Sequence, residues 1–295
     1  RSDTTEIIFA GFFENNSEAQ ITNLQFGIDN WIYASNHGQG GTITYMRDTT
    51  RPPLQVAGGD FRFRLDTEQF EVAAGPAQFG QAFNDRWHRF ITQNSLHIRH
   101  VVMPWRYLKR HAHMPTTTVA LNVSDHEAEM FQATPPPYWR AERTRRRQAS
   151  YDEQGLDRKE YAEDYFTGCS GGTFYGGHTF PEHFYGNIFT GEVAGNLVHR
   201  DIIEPLAGTP TYKASRPMEE LQREFLISTD SWFRPAHFSV GPDGYLYIVD
   251  YYRQHIETPL SIPQDRPVRL RAHVQKTDGH LHVSASGAVA DTDGS

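Results

Sequence analysis

The chain has 295 residues, enough for one large domain or two ordinary ones, and its formal net charge of −8 argues against a general nucleic-acid binder. Its hydrophobic share of 38% suits a globular protein, and no apolar run approaches the roughly 18 residues of a helical membrane span. One cysteine, Cys169, excludes an internal disulfide framework and a C-x-x-C-H haem attachment within these residues. Aromatic content of 13%, with 24 Gly and 17 Pro, points to many short strands and turns. The first residue is Arg, with no signal peptide before it, so a piece of a longer protein is expected.

Residues 5–12 read as a strand, and residues 24–37 (LQFGIDNWIYASNH) as a hairpin. Residues 42–46 form another short strand after a Gly-rich loop. Phe61, Phe63 and Leu65 alternate with polar neighbours, turn at residues 66–68 and resume at Phe70, which predicts a second hairpin. Residues 96–103 are again strand-like. Residues 104–166 read as an insertion, partly helical, with Pro135-Pro136-Pro137, a basic run over 140–147 and a polar stretch over 151–165 that has helical character. The basic run is better explained as a solvated helix face than as an anion site.

Strand patterning resumes at Phe166 and continues through 186–192, 197–203 and 211–214, with a short helix predicted around 218–225. Residues 238–256 (FSVGPDGYLYIVDYYRQHI) then repeat the hairpin of residues 24–37. Gly27 matches Gly241, Asp29 matches Asp243, Trp31 matches Tyr245, Tyr33 matches Tyr247 and Asn36 matches Asp250. One supersecondary unit used more than once is the direct implication. Setting the insertion aside leaves four units of about 40–50 residues, the spacing of propeller blades. The predicted fold is therefore all-β, a β-propeller with about four blades over 1–103 and 167–265. The 104–166 insertion and a poorly ordered tail over 266–295 complete the chain. Four blades of this kind make an incomplete ring.

Several longer phrases carry a family likeness: QFGIDNWIY at 25–33, RFRLDT at 62–67, GPAQFG at 75–80, GNLVHR at 195–200, STDSWFRP at 228–235 and VGPDGYLYIVDYYR at 240–253. Together they resemble the membrane-bound dehydrogenase domain of planctomycete and verrucomicrobial secreted proteins, over residues 5–265. That family is a β-propeller related to soluble quinoprotein sugar dehydrogenases and NHL propellers, often fused to HEAT-like repeats and a c-type haem domain. The resemblance implies a secreted or periplasmic bacterial oxidoreductase acting on a sugar or sugar-like alcohol. It also implies a quinone (PQQ-like) cofactor and Ca²⁺, and an electron acceptor or fused haem domain as partner in a longer protein. Blades that precede the matched segment in the family are absent, as is the haem motif.

Polar side chains near strand ends are the candidates for chemistry at the mouth of such a ring. His88, His199 and His255 are candidate general bases, with Asp250 beside them as the acidic partner. Arg89, Arg200, Arg234 and Arg253 would bind a cofactor's carboxylates or an acidic sugar, with inter-sheet salt bridges as the structural alternative. Trp87, Asn94, His100, Asn196 and Trp232 are the expected substrate contacts. Asn36 and Asp250 also read as a structural acceptor repeated from unit to unit. His111 and His113 beside Met114 form a weak metal or haem-ligand pattern, and Cys169 reads as a small buried residue before a nucleophile. The alternative functions are a glycan-active hydrolase or lyase using residues such as Asp230, Asp250 or Glu192, and a non-catalytic carbohydrate- or protein-binding propeller.

Overall fold

The repeated hairpin folds the same way in both copies, and its side chains show why. The computed structural model describes residues 3–108, 110 and 119–256, and the backbone of 268–277 and 280–289. In the first copy Gly27 N–H donates to Trp31 O (2.7 Å), while Asp29 accepts from Tyr33 Oη (2.8 Å) and from Trp31 N (3.3 Å). In the second, Gly241 N–H donates to Tyr245 O (2.9 Å), and Asp243 accepts from Tyr247 Oη (2.6 Å) and Tyr245 N (3.2 Å). The carboxylate closes the turn from inside and ties it to the returning Tyr. A Cβ on Gly27 would lie 2.4 Å from Asp29 Oδ1, and one on Gly241 2.5 Å from the Tyr247 ring, so the first turn residue must be Gly.

In chain order, β1 (Phe9–Ala10) precedes β2 (Thr22–Phe26) and β3 (Ile32–Ser35), and β4 (Gly41–Tyr45) and β5 (Leu54–Val56) follow. Next come β6 (Asp60–Arg64) and β7 (Gln69–Ala73). The main sheet of this region runs β2-β3-β6-β7, and β1-β4-β5 forms a smaller sheet beside it. The second sheet is β8 (Gly80–Phe83), β9 (Arg89–Gln93), β10 (Leu96–Val101) and β11 (Ala120–Asn122), with the short helix α1 (Trp105–Leu108) between its last two strands. After α2 (Tyr138–Glu153), the third sheet is β12 (Cys169–Phe174), β13 (Ile188–Glu192), β14 (Leu197–Pro205) and β15 (Tyr212–Ser215), with β16 (Leu226–Ile227) also paired to β14. β17 (Pro235–Val240) and β18 (Leu246–Asp250) pair as a fourth sheet, and β19 (Val268–Thr277) with β20 (His280–Val289) as a hairpin. Every strand pairing in these sheets is antiparallel.

The protein is therefore predominantly β, as its turn chemistry predicts. Neighbouring sheets share buried aromatic and aliphatic side chains. Phe90 and Ile98 of the second meet Ile188, Tyr212 and Ala214 of the third. Phe189 and Val198 of the third meet Phe238 of the fourth. The first strands of successive sheets approach closely, with Gly171 N–H donating to Phe79 O at 2.8 Å. A Cβ on Gly171 would sit 2.7 Å from His237 Cα, and one on Gly80 2.5 Å from Gly172 N, which explains the glycine-rich sequence there.

The 104–166 segment differs in two respects from its reading as an insertion. It contributes β11, which pairs with β10 to complete the second sheet. Its longer helix spans the arginine run, as the reading of that run as a helix face expects, but ends at Glu153, so most of 151–165 is not helical. Pro137 caps α2, where a missing N–H costs nothing, and Gly155 (φ 64°) follows its end. The 218–225 stretch holds only a 3₁₀ turn, Met218–Glu220.

Candidate metal centre

β14 extends its alternation through His199 and Asp201, which puts both side chains on one face of the third sheet. Opposite them stands His97 on β10. The β9–β10 register shifts between Leu96 and Arg99, and this irregularity buries His97 and Ile98 together although they are sequence neighbours. His126, in the loop after β11, completes the group. His97 Nε2 lies 3.3 Å from Asp201 Oδ2, as does His199 Nε2, and His126 Nε2 lies 3.1 Å from Asp201 Oδ1. One ligand atom from each of the four residues lies within 4.8 Å of the others.

The three distances onto Asp201 are near the ligand–ligand separation of a tetrahedral site, and the remaining ligand atoms lie within 4.8 Å of one another. Zinc–nitrogen and zinc–oxygen bonds of about 2.0–2.1 Å place neighbouring ligand atoms about 3.3–3.4 Å apart. His97 Nε2, His199 Nε2 and Asp201 Oδ2 are buried and make no hydrogen bond, a costly state unless something else satisfies them. Outside this shell Glu224 accepts from His199 Nδ1 (2.7 Å), and Arg216 donates to Glu224 (2.8 Å). A carboxylate behind a ligating imidazole fixes its tautomer and raises its basicity. Phe166 covers the group, with its ring 4.6 Å from His97 and 5.2 Å from His199.

The electrostatics mark a place that favours positive charge. Burial holds His97 neutral, down to about 4, against the pull of Asp201. Burial acts the same way on His199, but Asp201 and Glu224 outweigh it and lift the imidazole to about 9. Burial would raise Asp201, yet the surrounding imidazoles hold it well below the usual carboxylate range. Three nitrogens and one carboxylate suit Zn²⁺ or a neighbouring first-row ion, whereas Ca²⁺ takes six to eight oxygens. This donor set does not fit the calcium that the family resemblance implies.

The other sequence-derived candidates are dispersed. Of His88, His199 and His255, only His199 joins the metal group. His88 Nδ1 contacts Tyr212 Oη at 2.5 Å, and His255 stacks on Trp139 at 4.2 Å. His100 is buried against Phe90 and Tyr212 and bonded to Thr211 (3.0 Å). The arginine rim is corrected to internal ion pairs and backbone ties. Arg89 donates to Asp60 (2.6 Å), Arg200 to Glu219 and Glu220 (2.6 and 2.7 Å), and Arg234 to the carbonyls of Arg253 and Gln254 (2.7 and 2.6 Å). The Arg253 guanidinium lies over Tyr251. Arg89, Arg200 and Arg234 are thus held by Asp60, by Glu219 and Glu220, and by backbone carbonyls.

Trp87 stacks on Phe83 (4.1 Å), Trp232 lies against Tyr252 (5.6 Å), and buried Asn196 donates to Phe233 O and accepts from Thr134 Oγ1 (both 2.6 Å). Asp250 accepts from the N–H groups of Arg234 (2.8 Å) and Tyr252 (2.9 Å), so it acts as a turn acceptor. Its counterpart Asn36 instead donates, to Gln39 O and Gly59 O. The acceptors that recur are Asp60, taking the N–H groups of Asn36 and Ala77, Glu192, taking those of Gly168 and Ala194, and Asp250. Cys169 is fully buried, and burial first, then Glu192, pushes its thiol well up, out of the nucleophile range. His111, His113 and Met114 lie outside the described residues.

Asn94 is the one predicted substrate contact that lines a cavity of about 870 Å³. This cavity opens where β2, β12 and β17 approach one another, under α2, and its wall includes His237 and Arg140, Arg143 and Arg147. Sequence reasoning missed His97, His126 and His237. Only His97, three residues before His100, carried a local hint, a histidine inside a strand.

Fold and site together define an all-β protein of packed antiparallel sheets with an imidazole-rich metal-ligand group between two of them. Residues 1–283 match the family described as Domain of unknown function (DUF7133), and the chain belongs to that family. No curated protein and no solved structure matches the chain.

Proposed function

We propose that this chain is part of a β-propeller metalloprotein in which one four-coordinate ion of the zinc class joins neighbouring blades, beside a polar cavity that receives the ligand. The observation that carries the reading is the meeting of three imidazoles on Asp201 at 3.1–3.3 Å, with buried ligand atoms that nothing else satisfies. The radial arrangement is supported by the order of the sheets. Each begins with the strand nearest its neighbours' first strands, and three of them have four strands in chain order from that point, with β16 added to the third. Four protein ligands close the coordination sphere, which assigns the ion a structural role. His97, His126, His199 and Asp201 would hold it, and Glu224 would orient His199.

Elemental analysis of protein purified without added metal tests this, with one equivalent of zinc or a neighbouring ion expected. Cobalt substitution should give the intense visible bands of a tetrahedral site. Absence of metal, together with no rise in melting temperature on adding Zn²⁺, sinks the reading.

A second reading, oxidation of a sugar or polyol, is favoured by His237. It lines the cavity, and burial holds its imidazole below the usual value, so it is neutral at pH 7 and able to accept a hydroxyl proton. The hydride would pass to an electron acceptor supplied from outside the chain. A dye-reduction assay over a sugar panel, with His237→Asn as control, tests it. Release of product from glycans without an acceptor would instead indicate a hydrolase or lyase, and binding without turnover a non-catalytic propeller.

A further inference from the structure

The geometry points to one exchangeable position on the ion: His97, His199 and Asp201 Oδ2 hold it fast, while His126 gives way to a small monodentate Lewis base such as azide, cyanide or hydroxide. This rests on the metal reading above and adds a ligand-binding function to it. His97 and His199 stand on β10 and β14, each a strand with a partner on either side. Both approach the same oxygen, Asp201 Oδ2, at 3.3 Å, and neither Nε2 has a hydrogen bond. His126 differs. It lies on a loop, reaches the other oxygen, Oδ1, at 3.1 Å, and is the one member of the four that is not buried.

The cost of leaving the ion therefore differs from ligand to ligand. Released from it, His97 or His199 would strand a buried nitrogen without a partner, which is expensive. His126 Nε2 instead falls back on Asp201 Oδ1, already at hydrogen-bond distance. Orientation differs as well. Glu224 fixes His199 through Nδ1 (2.7 Å), whereas His126 Nδ1 is buried with no partner among the described residues, so its ring is not locked as a ligand. At rest the ring is kept in place by stacking on His97, with centroids 4.9 Å apart. The backbone just before it is anchored to β15. Asp125 N–H donates to Ala214 O (3.0 Å), and the Asp125 carboxylate meets Lys213 and Ser215 (both 2.8 Å). Exchange is thus a local swing of His126 and the loop beyond it. Phe166 closes the side of His97 and His199, so an external ligand enters past His126, as water does in sites with three protein ligands.

Titration of the cobalt-loaded full chain with azide, followed by visible absorption, tests the proposal. Azide should shift the cobalt bands and saturate at one per ion. His126→Ala should still hold one equivalent of cobalt and bind azide at least about tenfold more tightly, because no internal imidazole competes for the position. Free imidazole should return the bands of that variant to those of the parent. His97→Ala and His199→Ala should hold no cobalt. Should His126→Ala fail to fold, His126→Gln, whose amide can still donate to Asp201 Oδ1, serves in its place. A chain that takes up no cobalt overturns the metal reading and this one together. Cobalt bound by the parent but unmoved by azide overturns this one alone, as does loss of cobalt from His126→Ala as complete as from His97→Ala.

Discussion

Asp201 accepts no hydrogen bond at Oδ2, although it is fully buried and faces three histidines. Asp201→Asn keeps the shape and removes the charge, so bound metal should fall below one-tenth of an equivalent by elemental analysis. The melting temperature should fall as well, since breaking a buried charged cluster costs about 3–5 kcal/mol. Glu224→Gln acts through His199 and should weaken metal affinity about 10- to 100-fold in a chelator competition while the site still forms. A different histidine governs part of the acid response. Burial, reinforced by His88, holds His100 at about 4 against its usual 6.5. The unfolded chain therefore takes up a proton first as pH falls. The stability His100 contributes is complete above about pH 6.5 and declines as pH drops towards 4. His100→Gln should show a smaller fall in melting temperature between pH 7 and pH 5 than the parent chain.

At the level of elements, the two matched hairpins are the part of the fold most legible in the sequence. Their contacts are local, so Gly27, Asp29 and Tyr33 predict the partners that Gly241, Asp243 and Tyr247 also find. Gly241→Ala drives a methyl towards the Tyr247 ring and the Asp243 carboxylate, and should cost about 1–3 kcal/mol in a denaturant melt. The start of α2 was legible in principle, because Pro137 marks it. The arginine run was legible as a helix face, but its polar composition gave no apolar stripe by which to place its end before residues 154–165. β11 was hidden in the insertion because three residues are too few to show alternation. The metal group was illegible for a related reason. Its ligands come from β10, a loop and β14, and no fixed spacing connects elements that only the packing of two sheets brings together. For the arginines the sequence left two readings open, and the salt-bridge one describes Arg89 and Arg200, which Asp60 and Glu220 meet inside the protein.

The described helices include none long and apolar enough to cross a membrane, and the aromatic packing between sheets carries the molecule. A ligand bound to the native state alone adds about 4 kcal/mol at a thousandfold excess over its dissociation constant. Removing the ion from this chain should then lower the melting temperature on the order of 10 °C, read by calorimetry with and without chelator. His97, His199 and Asp201 are at most 2% exposed, and the ring of Phe166 lies over the imidazoles. His126, on the loop after β11, is the ligand that reaches solvent, with 12% of its side chain exposed. An ion held there leaves when that loop lifts from the seam between the second and third sheets. Its escape should therefore proceed at a pace independent of chelator concentration, a clock for how often this seam breathes.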